Sequence, residues 1–239
     1  DYCFEGTVDT RSATPAVVIL AAVHRQSGVG FACFVDHTGS SDVWAVQQMQ
    51  SWLLQVGLTG PLIIKSDSEQ ATRGVAQALA RSRRPVSTIV QTTPAASHDS
   101  LGGAERFIQT LHGLVRTQLL VIGKLWGCKV SVNSVWHGWA IRHAVWLYNH
   151  FVMKEANQQW DYHGEVLKLS CPCSGLSLQS LAKPKAEARW VKGVDLGKQT
   201  EADLHLVGTA AGVVPVRTIK PVYYTPLRSD ETVRKRVFR

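Results

Sequence analysis

The sequence predicts an α/β protein: a mixed five-stranded sheet with flanking helices, followed by a small all-β module. Three observations predict this architecture. Short apolar runs alternate with turn signals through the first third of the chain, two later apolar runs are each followed by a helical pattern, and strand-like runs return near the C-terminus.

The first three strands are predicted from β-rich runs over 2–4, 17–23 and 29–35, which are separated by polar stretches. Consecutive runs joined by short polar connections favour antiparallel neighbours. Ser40 or Ser41 is then expected to cap a helix that ends near Val56, just before Gly57.

The middle of the chain alternates strands with helices. An apolar run over 61–67 ends in Asp67, an alanine-rich helix is predicted over about 70–79, and a fifth strand over 86–91. A Pro-, Ser- and Gly-rich loop then leads to a long helix, which is followed by an apolar packing helix over 135–151. The long helix is expected to have two faces, one with Phe107, Leu111, Leu114 and Gln118 and the other with Glu105, Gln109, His112 and Arg116.

The C-terminal third returns to a strand-like pattern. Runs over 189–196, 204–207 and 213–219 predict three strands, and the glycines around 208–212 indicate a hairpin. The range before them shows no clean period. The predicted organisation is therefore a core domain over 1–152, a linker over 153–187, a small β module over 188–226 and a basic tail over 227–239.

Charge and cysteine content restrict the function classes. The net charge is +8, and residues 183–239 hold 12 basic against 6 acidic residues, which predicts a polyanionic partner for this quarter.

Five irregularly spaced cysteines without a signal peptide indicate a reducing compartment rather than secretion. The most apolar stretch, 15–23, is about half of the roughly 18–20 residues that a membrane span needs, so no membrane partner is expected. Because the chain opens at Asp1 without a methionine, we expect it to be part of a longer protein.

Three acids lie at the ends of predicted strands or at the start of a predicted helix. Asp1 begins the first strand, Asp67 ends the fourth, and Glu105 opens the helix after the fifth, with 65 and 37 residues between them. With Lys65-Ser-Asp-Ser-Glu69 and Ser100-Leu-Gly-Gly-Ala-Glu-Arg106 around the last two, the chain resembles the integrase catalytic core of retrotransposon Pol polyproteins, both copia-type and retroviral-like. Residues 188–220 resemble, more loosely, the small β module that follows this core in copia-type polyproteins.

The resemblance implies a fold of the RNase H-like superfamily and an activity. In that family, Mg²⁺-dependent 3′-end processing and strand transfer join element DNA to target DNA. Asp1, Asp67 and Glu105 would be the catalytic carboxylates and the ligands of two Mg²⁺ (or Mn²⁺) ions, which such enzymes hold about 3.5–4 Å apart. Hard oxygen ligands suit these cations.

The expected partners and location follow from the same resemblance and from the charge. The partners are DNA, both element ends and target, and further copies of the chain in a homo-oligomer. The location is a nuclear or cytoplasmic nucleoprotein particle. Residues expected to contact DNA are Lys65, Arg106, Gln109, His112, Arg116, Arg234, Lys235 and Arg236.

Other interpretations stay open at this point. The chain could be a catalytically inactive, nucleic-acid-binding relic of a transposable element, or a nuclease acting on RNA–DNA hybrids, which would share the metal site. Glu69 and Asp99 are the competing acids, and each is better explained by a role at a helix start. Asp67 is followed by Ser and Glu, whereas many family members have Asp-Asn-Gly. Zinc is disfavoured because Cys171-Pro-Cys173 lacks a second ligand pair.

Overall fold

A computed structural model of the chain describes residues 1–5, 17–39, 42–93, 102–131, 134–152, 162, 164–177, 189–199 and 202–222. The described chain divides into two compact units. The first comprises Asp1–Gly113 with Leu147–Asp161, and the second comprises Leu114–Trp146 with Tyr162–Arg239.

The first unit contains two sheets. Strands β1 (Tyr2–Glu5), β2 (Val17–Val23) and β3 (Gly30–Val35) form an antiparallel sheet in that order, and β4 (Leu62–Ser66) pairs in parallel with β5 (Thr88–Thr92). The strand predictions for this part of the chain are confirmed. Their predicted assembly is wrong, because among the described residues they form separate sheets of three and two strands rather than one mixed five-stranded, RNase H-like sheet.

The physical reason is that a sheet requires a ladder of main-chain hydrogen bonds between neighbouring strands. Joining these two sheets through the strands that carry the acids would require β1 to pair with β4. Among the described residues, β1 pairs only with β2, through four residues, and β4 pairs only with β5, through five, so no ladder joins the two sheets. Composition and periodicity predict that a segment is a strand, but they do not specify its neighbour.

Helices α1 (Val43–Gln55) and α2 (Gln70–Ser82) pack on these strands and close a shared core. Side chains from both sheets contribute, since Leu62 and Ile64 of β4 pack against the same cluster as the first sheet. The fully or nearly buried members of this cluster are Tyr2, Leu20, Phe31, Val35, Ala45, Val46, Met49, Leu53, Val75 and Leu79.

Buried Arg83 ties the end of α2 to its surroundings. Its guanidinium donates to the carbonyl oxygens of Leu58 at 3.0 Å and Gly60 at 2.6 Å, and to the Thr88 hydroxyl at 3.0 Å. A buried charge is tolerated when hydrogen-bond acceptors surround it. Arg83 therefore fixes the loop before β4 to the start of β5.

Two further helices complete the described helical part: α3 (Gly102–Trp126) and α4 (Trp136–Leu147), the latter continued by a π-helical turn, Tyr148–Val152. One stripe of α3 is buried, but it differs from the predicted one. Val115 is fully buried, whereas Leu114 and Gln118 are half-buried. The buried residues of the stripe are Phe107, Leu111, Val115, Ile122 and Trp126.

The second unit contains a closed antiparallel barrel of β6 (Pro172–Ser177), β7 (Trp190–Lys198), β8 (His205–Thr209) and β9 (Gly212–Pro221). The last three strands were predicted. Strand β6 lies inside 153–187, which the sequence analysis interpreted as a linker. It pairs with both β7 and β9 and closes the barrel, whose interior includes Cys173, Val207, Val216 and Ile219.

Candidate active site

Asp1 is fixed to the adjoining strand by its main chain. Its amine donates to the Ala21 carbonyl at 2.8 Å, and the Ala21 amide donates to the Asp1 carbonyl at 2.8 Å. Burial lowers the pKa of the Asp1 amine, and the nearby acids Asp67 and Glu69 partly oppose this effect. The fold therefore places Asp67 and Glu69 near the backbone nitrogen of Asp1.

Asp67 follows the last residue of β4, where the chain turns toward α2. The Thr93 amide and hydroxyl donate to the Ser66 carbonyl at 2.9 and 3.3 Å, which continues the β4–β5 pairing up to this point. The Asp67 Oδ1 atom accepts the Glu69 amide at 3.3 Å. Asp67 is thus held half-buried at the carboxyl end of a strand by its own turn.

Glu69 occupies the N-cap of α2 with an extended backbone, and its side chain makes no capping hydrogen bond. The prediction that Glu69 begins the helix is confirmed. Asp99, the other competing acid, lies outside the described residues.

Glu105 lies in the first turn of α3 and is exposed. Among the residues that the structure describes, no three His, Cys, Asp or Glu side chains are arranged to hold one metal ion. The carboxylate donors have the chemistry that Mg²⁺ prefers. Asp67 lies near the Asp1 backbone nitrogen, but the described residues do not assemble a three-ligand site from Asp1, Asp67 and Glu105.

The polar residues expected to contact DNA are mostly exposed. Lys65 is exposed on β4, and Arg106, Gln109 and Arg116 are exposed along α3, on the side away from its buried stripe. His112 is half-buried. The tail residues Arg234, Lys235 and Arg236 lie outside the described residues.

The barrel presents a basic surface with an exposed aromatic ring, which the sequence analysis did not single out. Strand register places Lys192, Ser174 and Lys220 in one row across β7, β6 and β9. Trp190, two residues before Lys192, lies in the next row on the same face. The Lys220 ammonium lies 5.0 Å from the centre of the Trp190 ring, and Trp190 is 40% exposed. We call these four residues the barrel surface. Trp190 and Lys192, two positions apart on β7, were the available signal, but the alignment of Lys192 with Lys220 across β6 required the register.

The barrel also buries ionisable side chains. Asp195 is 1% exposed and lies 3.7 Å from the Nδ1 atom of His205. Burial raises the pKa of Asp195, and His205 partly opposes the rise. The Lys198 ammonium pairs with Asp203 at 3.1 Å. Burial also raises the pKa of the Cys173 thiol, which favours its neutral form.

Comparisons with known proteins give limited similarity. No family model matches the chain, and no curated protein matches its sequence. Among solved structures, the chain is similar to one in the cryoEM structure of the simian T-cell lymphotropic virus intasome in complex with the PP2A regulatory subunit B56 gamma. The identity is 15%, the match covers 94% of this chain and 77% of that chain, and the TM-score is 0.45. A likeness at this level carries no argument about function.

Among the described residues, no helix combines the length and the apolar character that crossing a membrane would need.

Proposed function

We propose that this protein is an integrase-type polynucleotidyl transferase that processes 3′ ends of element DNA and joins them to target DNA. The observation that carries the proposal is the placement of Asp1 and Asp67 in one compact unit, directly before β1 and directly after β4, with Asp67 near the Asp1 backbone nitrogen although 65 residues separate the two acids. These are two of the three acids that the sequence contexts identified. Glu105 opens α3, as the same interpretation requires.

In this proposal, Asp1, Asp67 and Glu105 would hold two Mg²⁺ or Mn²⁺ ions. When bound, the ions would supply charge stabilisation for the attacking and leaving oxygens of an in-line displacement. The protein side chains would position the DNA: Lys65, Arg106, Gln109, His112 and Arg116 would contact phosphates without reading sequence. A water or a DNA 3′-hydroxyl would be the nucleophile, so no covalent enzyme intermediate is required.

The barrel surface would be a separate DNA contact in the second unit. Lys192 and Lys220 are exposed and lie on either side of Ser174, so they could both approach one phosphate backbone. Trp190 offers an exposed aromatic face beside them. Two DNA ends must be held together for joining, which is why the working form would be a homo-oligomer.

Asp67→Asn tests the catalytic part of the proposal. The variant removes a cation ligand and a negative charge facing phosphate but keeps the side-chain volume. We expect Mg²⁺-dependent strand transfer to be abolished, whereas DNA affinity measured without metal stays unchanged or rises slightly. The measurements are a gel-based joining assay and fluorescence anisotropy with labelled DNA.

Glu69→Gln is the matched control, because Glu69 lies two residues further on and also acts on the Asp1 amine. This variant should retain joining activity. Full activity of Asp67→Asn, or equal loss in both variants, would contradict the assignment of Asp67 as a metal ligand.

A second candidate function is nucleic-acid binding without catalysis, as in a relic of a transposable element. The observation that favours it is the exposed position of Glu105, together with the lack of a three-ligand group among the described residues. This candidate predicts DNA binding with no joining in Mg²⁺ or Mn²⁺. Cleavage of an RNA–DNA hybrid without DNA joining would instead identify a nuclease that uses the same acids.

A further inference from the structure

The side-chain amide of Asn149 binds the edge strand β3 of the first sheet. Gly30 begins β3, which lies at the edge of the β1–β2–β3 sheet. The Gly30 amide donates to Asn149 Oδ1 at 2.8 Å, and Asn149 Nδ2 donates to the Gly30 carbonyl at 2.9 Å. Asn149 thus supplies both the acceptor and the donor that a further strand would supply at this position.

Gly30 is also the point at which Phe107 of α3 packs against the sheet. A Cβ atom added at Gly30 would collide with the ring of Phe107, which is 1% exposed. Glycine is therefore required here by the close approach of Phe107 rather than by its backbone freedom. Tyr148 completes the contact, with its ring 4.7 Å from the Phe107 ring at an angle of 66°.

These contacts lie next to two of the candidate site residues. Phe107 follows Arg106 directly and lies two residues after Glu105, in the same helical turn. Burial raises the pKa of Tyr148 and Arg106 lowers it, so the Arg106 guanidinium lies within electrostatic range of the Tyr148 hydroxyl. Tyr148 and Asn149 both come from the π-helical turn after α4, a local irregularity that often occurs at functional sites.

We infer that Asn149 is a positioning residue. It fixes the first turn of α3, with Glu105 and Arg106, against the β3 edge of the three-stranded sheet, whose opposite edge strand, β1, follows Asp1. The chain of contacts runs from Asn149 to Gly30, from Gly30 to Phe107, and from Phe107 to Glu105 through one helical turn. This inference rests on the proposed function for its catalytic consequence. Its structural consequence, a fixed first turn of α3, is independent of that function.

Asn149→Asp is the direct test, because it preserves shape but replaces the Nδ2 donor with an oxygen that faces the Gly30 carbonyl. Repulsion between this oxygen and the Gly30 carbonyl should push the side chain away from Gly30. Hydrogen exchange followed by mass spectrometry should then show about tenfold faster exchange at Gly30 and at the α3 amides from Arg106 onward, the first that have a partner within the helix. Exchange in α2 should not change.

The catalytic readout is the kinetics of Mg²⁺-dependent strand transfer. A displacement of a catalytic group by about 1 Å can lower the rate on the order of 100-fold. We therefore expect Asn149→Asp to lower kcat by about that factor, with little change in the KM for DNA.

Arg83→Met is the matched structural control. Arg83 is buried in the same unit, but it holds the loop before β4 and makes no contact with α3 among its hydrogen bonds. At a temperature where Asn149→Asp and Arg83→Met are both folded, Arg83→Met should keep kcat near that of the wild type. Gly30→Ala, which displaces Phe107 directly, should reproduce the exchange and kinetic changes of Asn149→Asp.

The outcomes separate the two proposals. Unchanged exchange at the α3 amides from Arg106 onward in both Asn149→Asp and Gly30→Ala would overturn the positioning role, as would equal loss of kcat in Arg83→Met. If the wild type joins no DNA, the proposed function fails, and the exchange data still decide whether Asn149 fixes the turn.

Discussion

His143 shows how one buried residue can control stability. Its imidazole is 3% exposed, is stacked on Trp146 at 6.1 Å between ring centres, and packs against Gly197. Nδ1 of His143 has no hydrogen-bond partner among the described residues. Burial, with Arg142 as a smaller cause, lowers the pKa of His143 to about 4. The ring is therefore neutral in the folded protein at neutral pH.

The stability contributed by His143 should depend on pH with a definite sign. Above about pH 6.5 the residue is neutral in both the folded and unfolded states, so its contribution is fully present. As the pH falls toward 4, the unfolded chain binds a proton that the folded protein does not, and stability is lost. We expect this residue to account for a loss of roughly 3 kcal/mol between pH 7 and pH 4.

Urea unfolding of His143→Phe at pH 7, 5.5 and 4 measures this contribution, since phenylalanine can keep the stacking on Trp146 but cannot bind a proton. The acid-induced loss should be smaller in His143→Phe than in the wild type by that amount. His37→Phe, at an exposed position, serves as the control and should retain the full acid sensitivity. Identical pH dependence of His143→Phe and wild type would refute the assignment.

Among the secondary-structure elements, helix α1 is confirmed, but its N-cap residue differs from the predicted one. The cap is Asp42, whose Oδ1 atom accepts the Ala45 amide at 3.0 Å, whereas Ser40 and Ser41 lie outside the described residues. Three neighbouring polar residues were all chemically suitable caps. Which one is used depends on where the preceding chain meets the sheet.

Asp42→Ala should destabilise the protein by about 1 kcal/mol, because it leaves an amide of the first turn without its acceptor. The helix contains no charged residue that could compensate. The measurement is a shift of the urea midpoint at an unchanged slope. Asp36→Ala, in the exposed loop after β3, should shift the midpoint by less than half as much. Equal effects would indicate a general charge effect rather than capping.

The whole molecule combines a nearly balanced first part with a basic end. Residues 183–239 carry 12 basic and 6 acidic side chains, and the first 182 residues carry 14 and 12. Within the tail, the basic residues are Arg228, Arg234, Lys235, Arg236 and Arg239. If DNA is the partner, this asymmetry should govern the salt dependence of binding.

Deleting residues 227–239 should weaken binding to all DNA sequences alike, because phosphate contacts do not distinguish bases. Each lost contact should make the plot of log affinity against log salt concentration shallower by about one unit. Anisotropy titrations at several salt concentrations, with specific and scrambled DNA, provide the test. Unchanged affinity and slope after deletion would show that the tail does not bind DNA.

The sequence by itself determined most of the elements, because each has a local signal. Alternation and β-rich composition predicted strands such as Val17–Val23, and helical spacing predicted α2 and α3. It also identified Asp67 at the end of a strand, since an acid after an apolar run is visible without any tertiary information. The strand Pro172–Ser177 was missed because its Pro-Cys-Ser-Gly start lacks both alternation and β-branched residues.

Only the tertiary structure decided how these elements are assembled. Main-chain hydrogen bonds between distant segments set the pairing of strands, so the separation of β1–β3 from β4–β5 and the closure of the barrel by β6 have no local signal. The same holds for Asn149, which binds Gly30 across 119 positions of sequence, and for Lys192 and Lys220, which share a row only through β6. Contacts of this kind depend on register and close approach in three dimensions, whereas composition and periodicity record only what each segment prefers by itself.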